Sequence, residues 1–179
     1  MGKQIALLRA VNVGKRQVPM ARLKELMSAA GFQDVSTYLQ SGNVFFADGG
    51  RSPQENGVRL EKLLLDEFGF VVEVVMRSTE QLDAIIAANP LPERVADPKH
   101  FVVTFFGEAP DQTAAAGLKP EDFAPDEFAF VGRELYSWSP NGVHTSKFTP
   151  QFLKRKLGVQ VATARNWSTV LKLRELAEG

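Results

Sequence analysis

Within its first 76 residues the chain alternates apolar runs and helix-spaced segments in an order that few folds satisfy. Ile5, Leu7, Leu8, Ala10 and Val11 make a short, mostly apolar run ending at Asn12-Val13-Gly14, which suits a central strand followed by a turn. Pro19 opens MARLKELMSAAG, where Leu23, Leu26, Met27 and Ala30 recur at helical spacing and Gly31 supplies the stop. Residues 35–39 and 44–47 read as strands joined through Gln40-Ser41-Gly42-Asn43, a tight turn in which Gly42 can take a positive φ. Leu60, Leu63, Leu64 and Phe68 mark a second helix that ends near Gly69, and residues 71–76 read as a fourth strand. Strand, helix, strand, strand, helix, strand is the order of a ferredoxin-like unit.

The same order then starts again. Ser78 and Gln81 form a capping box for a helix bearing Leu82, Ile85 and Ile86, which Asn89-Pro90-Leu91-Pro92 stops. Residues 101–106 read as a strand, 110–116 as a short helix, and 128–131 with 135–138 as a hairpin around Gly132-Arg133. Thr149 caps the next helix, Pro150 occupies its first turn, Phe148 and Leu153 can staple its start, and Gly158 ends it. Residues 159–161 would close the second sheet, leaving 167–177 as an added helix. The expected architecture is α+β: two ferredoxin-like α/β units packed together, with an additional C-terminal helix. The units are expected over 1–90 and 99–179, with 91–98 as linker. No letter-by-letter repeat accompanies the second unit, so it rests on element order alone, and a single larger α+β sheet is the rival arrangement.

The chain is long enough for either, and 44% apolar with 23% charged residues is the balance of a globular protein with a real core. Without cysteine it has no disulfide framework, thiolate nucleophile or cysteine-based metal site. MGKQIALLRAV is too short an apolar run for a signal peptide, and no stretch approaches a membrane span, so the cytoplasm is the default location.

Twenty-one basic and 21 acidic residues cancel, which argues against a coat of phosphate-binding groups. The distribution says more than the sum. Residues 1–24 carry Lys3, Arg9, Lys15, Arg16, Arg22 and Lys24 and no acid. Residues 135–174 carry Lys147, Lys154, Arg155, Lys156, Arg165, Lys172 and Arg174, again with no acid. If the fold brings these segments together, an anion-attracting face follows.

Asn12-Val13-Gly14-Lys15-Arg16 sets turn residues and two cations directly after a strand, where an anion could sit at a helix start. The bland alternative is a polar connecting loop, and neither GxxxxGK[ST] nor GxGxxG is present. Ser41 lacks the base, the acid and the G-x-S-x-G elbow that serine catalysis needs. The two histidines, His100 and His144, have no partner at metal-ligand spacing, so no metal site is expected. Phe45, Phe46, Phe105 and Phe106 stand where an RNA-recognition sheet would display stacking aromatics, but their surroundings do not spell that motif. Near the C-terminus, TARNWSTVLKL leads into a helix that lacks an acid in its first turn. Asn166 can cap that helix, and Arg165 beside it invites an anion or an acidic side chain.

ALLRAVNVGKRQVPM, TYLQSGNVFF, YSWSPNGV and TARNWSTVLKL, in this order, resemble the bacterial family catalogued as domain of unknown function 1697. The resemblance spans essentially the whole chain. It implies a small soluble protein, cytoplasmic in setting, built of two α/β units related to the ferredoxin-like plait, with no assigned activity. Arg9, Asn12, Val13, Gly14, Pro19 and Met20 match the first block, Ser41, Gly42 and Asn43 the second, and Thr163, Arg165, Asn166, Trp167 and Thr169 the last. The chain departs at Ala10, where the pattern prefers glycine, at Lys15, where a second glycine is common, and at Ser168, where asparagine is usual.

The expectation drawn from these residues is a small anionic ligand or nucleotide held at a basic cleft between the two units. Arg9, Asn12, Gly14, Lys15, Ser41, Asn43, Arg165 and Asn166 would line it. The alternative is a non-enzymatic module that binds another protein or RNA. No motif names a reaction, a cofactor or an oligomeric state.

Overall fold

The structure is a computed structural model that describes residues 2–178. The described residues divide into two compact units, 2–83 with 173–178, and 84–172. In the first unit, β1 (Lys3–Leu8), β2 (Gln33–Tyr38), β3 (Asn43–Ala47) and β4 (Val74–Ser78) form an antiparallel sheet in the order β2-β3-β1-β4. Helices α1 (Met20–Ala29) and α2 (Pro53–Phe68) connect them, so the unit is β-α-β-β-α-β.

Local chemistry explains the breaks. Ser52 accepts from the Glu55 amide and Glu55 returns a bond to the Ser52 amide, a complete capping box that starts α2. Gly69 ends the helix in a left-handed conformation, as a residue without Cβ does at no steric cost. Cross-strand partners share a face, so Ala6 and Leu8 of β1 lie with Val44, Phe46, Val74 and Met76. That face packs on Leu23 and Met27 of α1 and on Leu60 and Leu64 of α2, all fully buried. A leucine so placed contributes about 2 kcal/mol of burial free energy. Ile5, Leu7, Phe45 and Val75 occupy the other face and are buried as well.

The second unit repeats the topology. β5 (Phe101–Phe106), β6 (Glu127–Val131), β7 (Glu134–Trp138) and β8 (Ala162–Asn166) pair antiparallel in the order β6-β7-β5-β8. Its connecting helices are α4 (Gln112–Ala116) and α5 (Pro150–Leu157); α3 (Thr79–Ala87) and α6 (Trp167–Glu178) flank this sheet in the chain and cross the limits of the unit. Phe106 and Leu135 pack on Leu153, Leu157 and Val159, and Phe123 stacks on Phe148 with ring centroids 4.9 Å apart. The expected caps are present: Ser78 with Gln81, Thr149 accepting from the Phe152 amide, and Gly158 in a left-handed conformation. Two ferredoxin-like sheets with helices, and a further C-terminal helix, make up the fold.

Two strands lie further along the chain than expected. The fourth begins at Val74 rather than near residue 71, because Leu8 is the last β1 residue to pair and takes Val74 as its partner. Val72 instead tucks into the core, leaving Val71 outside. The eighth occupies Ala162–Asn166 instead of 159–161, since Val159 is consumed by the core against α5. Thr163, Arg165 and Asn166 are therefore strand residues, and the C-terminal helix starts directly after them at Trp167.

Candidate functional site

Six of the eight expected site residues belong to the first unit and two to the second. In the first unit, β1 and β2 end where β3 and β4 begin, which gathers three loops at one end of the sheet. Asn12 sits at φ +57, in the left-handed region that asparagine tolerates better than most residues. Its Nδ2 donates to the carbonyl oxygens of Val18 and Gln40, at 2.9 and 2.5 Å, and its Oδ1 accepts from the Val18 amide at 2.9 Å. Asn43 is fully buried and donates to the Tyr38 carbonyl at 2.7 Å and to Ser41 Oγ at 3.4 Å. These amides brace the loop 9–18 and the turn 39–42. Gly14 is left-handed with open space where a Cβ would stand, so its φ of +56 is the reason for glycine. Lys15 and Ser41 are exposed.

Arg9 pairs with Glu73 at 3.1 Å. Arg16, which lay outside the expected set, donates through Nε to the Ala10 carbonyl at 2.8 Å and through Nη2 to the Val71 carbonyl at 2.9 Å, with its guanidinium over the Phe70 ring. Arg9, Ala10, Arg16, Val71 and Glu73 border a cleft of about 320 Å³.

A larger cavity, about 380 Å³, opens on the second sheet. Register places Ser137, Val102 and Asn166 in one row across β7, β5 and β8, with Thr104 and Ala164 paired in the next. All five line the cavity. Thr104 and Ser137 are buried, at 8% and 7% exposure, and among the described residues their hydroxyls have no protein hydrogen-bond partner. Neither oxygen is cut off from solvent: both open onto the cavity, where water satisfies them and a bound group could take its place. These two therefore stand ready for a bound group.

The rest of the lining comes from two segments. Lys99, just before β5, brings an ammonium to the rim. Gly142, at φ +110, turns the chain after β7 into the short 3₁₀ segment Val143–Thr145, and Val143, Ser146 and Phe148 join the wall. A Cβ on Gly142 would lie 2.5 Å from the exposed His144 ring, which could swing aside, so it is the φ of +110 that calls for glycine here. Asn166 lines the cavity while its Oδ1 accepts from the Thr169 amide at 2.9 Å, which caps α6 and holds the side-chain amide in place. The walls are thus half apolar, with hydroxyls on the floor and one cation at the edge.

Arg165 borders this cavity from the strand, but its side chain belongs to the opposite face with Val103 and Phe105. There it is buried, and it donates to Thr163 Oγ1 at 2.6 Å and to the Ala164 carbonyl at 2.9 Å. Loss of solvation pushes the guanidinium down to about 10, which still leaves it charged at neutrality. Of the expected pair, only Asn166 faces the cavity.

Asp97 accepts at Oδ2 from Trp138 Nε1 and from His100 Nδ1, each at 3.0 Å. The Trp138 N–H first, and His100 after it, hold that carboxyl below its ordinary range. Arg94 lies over the Trp138 ring at 3.9 Å and pairs with Glu127. Among the described residues no group of three or more His, Asp or Glu side chains is arranged to hold a metal ion. No helix among them is long and apolar enough to cross a membrane. Phe45, Phe46, Phe105 and Phe106 are all buried, so none is displayed for base stacking.

A family model described as protein of unknown function, DUF1697, matches residues 1–136. The chain belongs to the DUF1697 family. That match takes in the first two sequence blocks and stops within β7, ahead of the Gly142 turn and of residues 163–173. The fold likeness extends further. The conserved bacterial protein SP0830 from Streptococcus pneumoniae, a solved structure, aligns over 100% of this chain and 99% of its own with a TM-score of 0.80, at 24% identity. No curated protein matches. Within this DUF1697 chain, the sequence blocks divide into bracing residues, such as Asn12 and Asn43, and residues that shape the second-unit cavity, such as Gly142 and Asn166.

Thr104, Ser137, Lys99 and Ser146 were not among the expected site residues. A lone threonine in the apolar run FVVTFF and a lone serine in LYSW were the only signals available.

Proposed function

We propose that this protein binds a small anionic ligand with a compact apolar body in the cavity over β5, β7 and β8. The observation that carries the reading is the pair of hydroxyls on Thr104 and Ser137, which have no protein hydrogen-bond partner among the described residues and open onto a cavity of about 380 Å³. Lys99 and the Asn166 amide supply the charge and a directional donor, while Val102, Val143 and Phe148 supply apolar wall. A concave, mostly apolar site with a few convergent polar groups is the usual form of a small-molecule site. The cavity contains no arrangement of nucleophile, base and orienting acid, so the reading is binding and names no reaction.

Amide chemical shifts of the ¹⁵N-labelled protein, titrated separately with butyrate, inorganic phosphate and adenosine monophosphate, test it. Butyrate should shift residues 102–104, 137 and 164–166, and Lys99→Gln should weaken the effect. A preference for the nucleotide at the same amides would make the ligand a nucleotide. Shifts confined to residues 9–16, or none with any probe, would overturn the proposal.

A further inference from the structure

The braced end of the first unit presents a surface that the cavity reading does not use. Asn12 ties the loop 9–18 to the turn 39–42 through the Gln40 carbonyl, and Arg16 ties it to the segment 69–73 through the Val71 carbonyl. Each of the three segments holds one branched aliphatic side chain out in water: Val13 at 55% exposure, Leu39 at 50% and Val71 at 61%. Single exposed aliphatics are ordinary, but three on loops bonded to one another are not. Leu39 is also held at φ +61, a conformation that bulky residues rarely adopt. The charges around them are Arg9, Lys15 and Arg16 against one acid, Glu73.

The cleft of about 320 Å³ beside Val71 selects among occupants. Arg16, braced on the Ala10 and Val71 carbonyls, and Arg9, paired with Glu73, line it together, which leaves one net positive charge and favours a singly charged carboxylate over a doubly charged phosphate. The loop hydrogen bonds fix the backbone in advance, which lowers the ordering cost of docking an extended segment.

We infer that this end of the first unit docks an acidic peptide segment of another protein. A carboxylate enters the cleft between Arg9 and Arg16, and neighbouring aliphatic side chains cover Val13, Leu39 and Val71. Lys15 attracts the segment's remaining charge at longer range. Residues of the second-unit cavity have no part in this.

Selection from a random peptide library against the whole protein tests the inference. Enriched peptides should combine Asp or Glu with Leu, Ile or Val, and bind more weakly as salt rises. Val13→Ser with Lys15→Glu, both at exposed positions, should weaken them about tenfold with the melting temperature unchanged. Leu39→Ser should act in the same direction. Enriched peptides without acids, binding indifferent to these substitutions, or no enrichment at all would each overturn it. Co-sedimentation with phosphatidylserine vesicles that depends on Val13 and Lys15, in the absence of such peptides, would make the partner a membrane instead.

Discussion

Asn12 and Gln40, twenty-eight residues apart in the chain, meet where the Asn12 side-chain amide donates to the Gln40 carbonyl at 2.5 Å. The same amide group donates to the Val18 carbonyl and accepts from the Val18 N–H, so one side chain closes its own loop and fastens it to the neighbouring turn. Asn12 makes these bonds from a left-handed backbone.

Asn12→Ala should therefore lose three hydrogen bonds and force a β-carbon residue without compensation into the left-handed region. The expected destabilisation is about 2–4 kcal/mol. Asn12→Gly, which keeps the backbone freedom but not the bonds, should lose roughly half as much. Urea unfolding of the two variants separates backbone from side-chain contributions, and equal losses would contradict the account.

Gly42 is required on two grounds. It lies at φ +93, and a Cβ there would stand 2.7 Å from Leu8 Cβ and 2.9 Å from Val11 Cγ2. Neither neighbour is the free end of a flexible side chain, so Gly42→Ala should destabilise the first unit by ~3 kcal/mol or more. A melting temperature within a degree or two of wild type would show that the turn relaxes at little cost.

Ala10 is the reverse case. It stands at φ +53 where the family resemblance prefers glycine. Ala10→Gly should raise stability by about 0.5–1 kcal/mol, because relief of the left-handed strain exceeds the added freedom of the unfolded chain. Denaturant midpoints measure this directly.

The hydroxyls of Thr104 and Ser137 bond to no protein group and open onto the cavity, which suits a ligand rather than the fold. Thr104→Val and Ser137→Ala should change stability by no more than about 1 kcal/mol, since each hydroxyl meets cavity solvent and bonds to no protein group. Binding of the butyrate probe should weaken about tenfold for either. A larger loss of stability would mean that the hydroxyls serve the fold.

Asp97 makes the acid response testable. Its carboxyl is held below the ordinary range by the Trp138 N–H and by His100, so the native state binds the proton less readily than the unfolded chain. The stability contributed is fully present above the unfolded carboxylate value of about 3.9, and is lost as pH falls through the lower folded value. Asp97→Asn should be less stable than wild type at pH 6, and the deficit should shrink towards pH 2–3. A deficit independent of pH would assign the effect to packing around Trp138.

Much of the fold could be read from local chemistry because its signals act over a few residues. Ser78 with Gln81, Thr149 with Pro150, and the glycines at 69 and 158 specify helix ends through hydrogen bonds and backbone conformations that need no distant partner. The spacing of Leu23 and Met27, or of Leu60 and Leu64, marks the buried side of a helix before anything is packed against it. Strand limits were less legible. Whether Val71 or Val74 begins β4, and whether Val159 or Ala162 begins β8, depends on where β1 and β5 offer partners.

The candidate site follows the same division. The blocks containing Asn12, Asn43, Gly142 and Asn166 were visible as unusual runs of turn residues and amides, yet composition does not distinguish an amide that braces a loop from one that lines a cavity. Arg165 and Asn166 are adjacent in sequence, but strand pleating sends them to opposite faces, one buried beside Thr163 and one onto the cavity. Thr104, Ser137 and Lys99 carry little signal alone, because only the register of β5 with β7 and β8 brings the two hydroxyl residues to one cavity, and Lys99 reaches its rim from just before β5. By itself the sequence determined the helix caps, the turns, the repeated order of elements and the two basic segments, all set by near neighbours. Tertiary structure alone decided which polar groups face a cavity, since that depends on register and on which strands stand side by side.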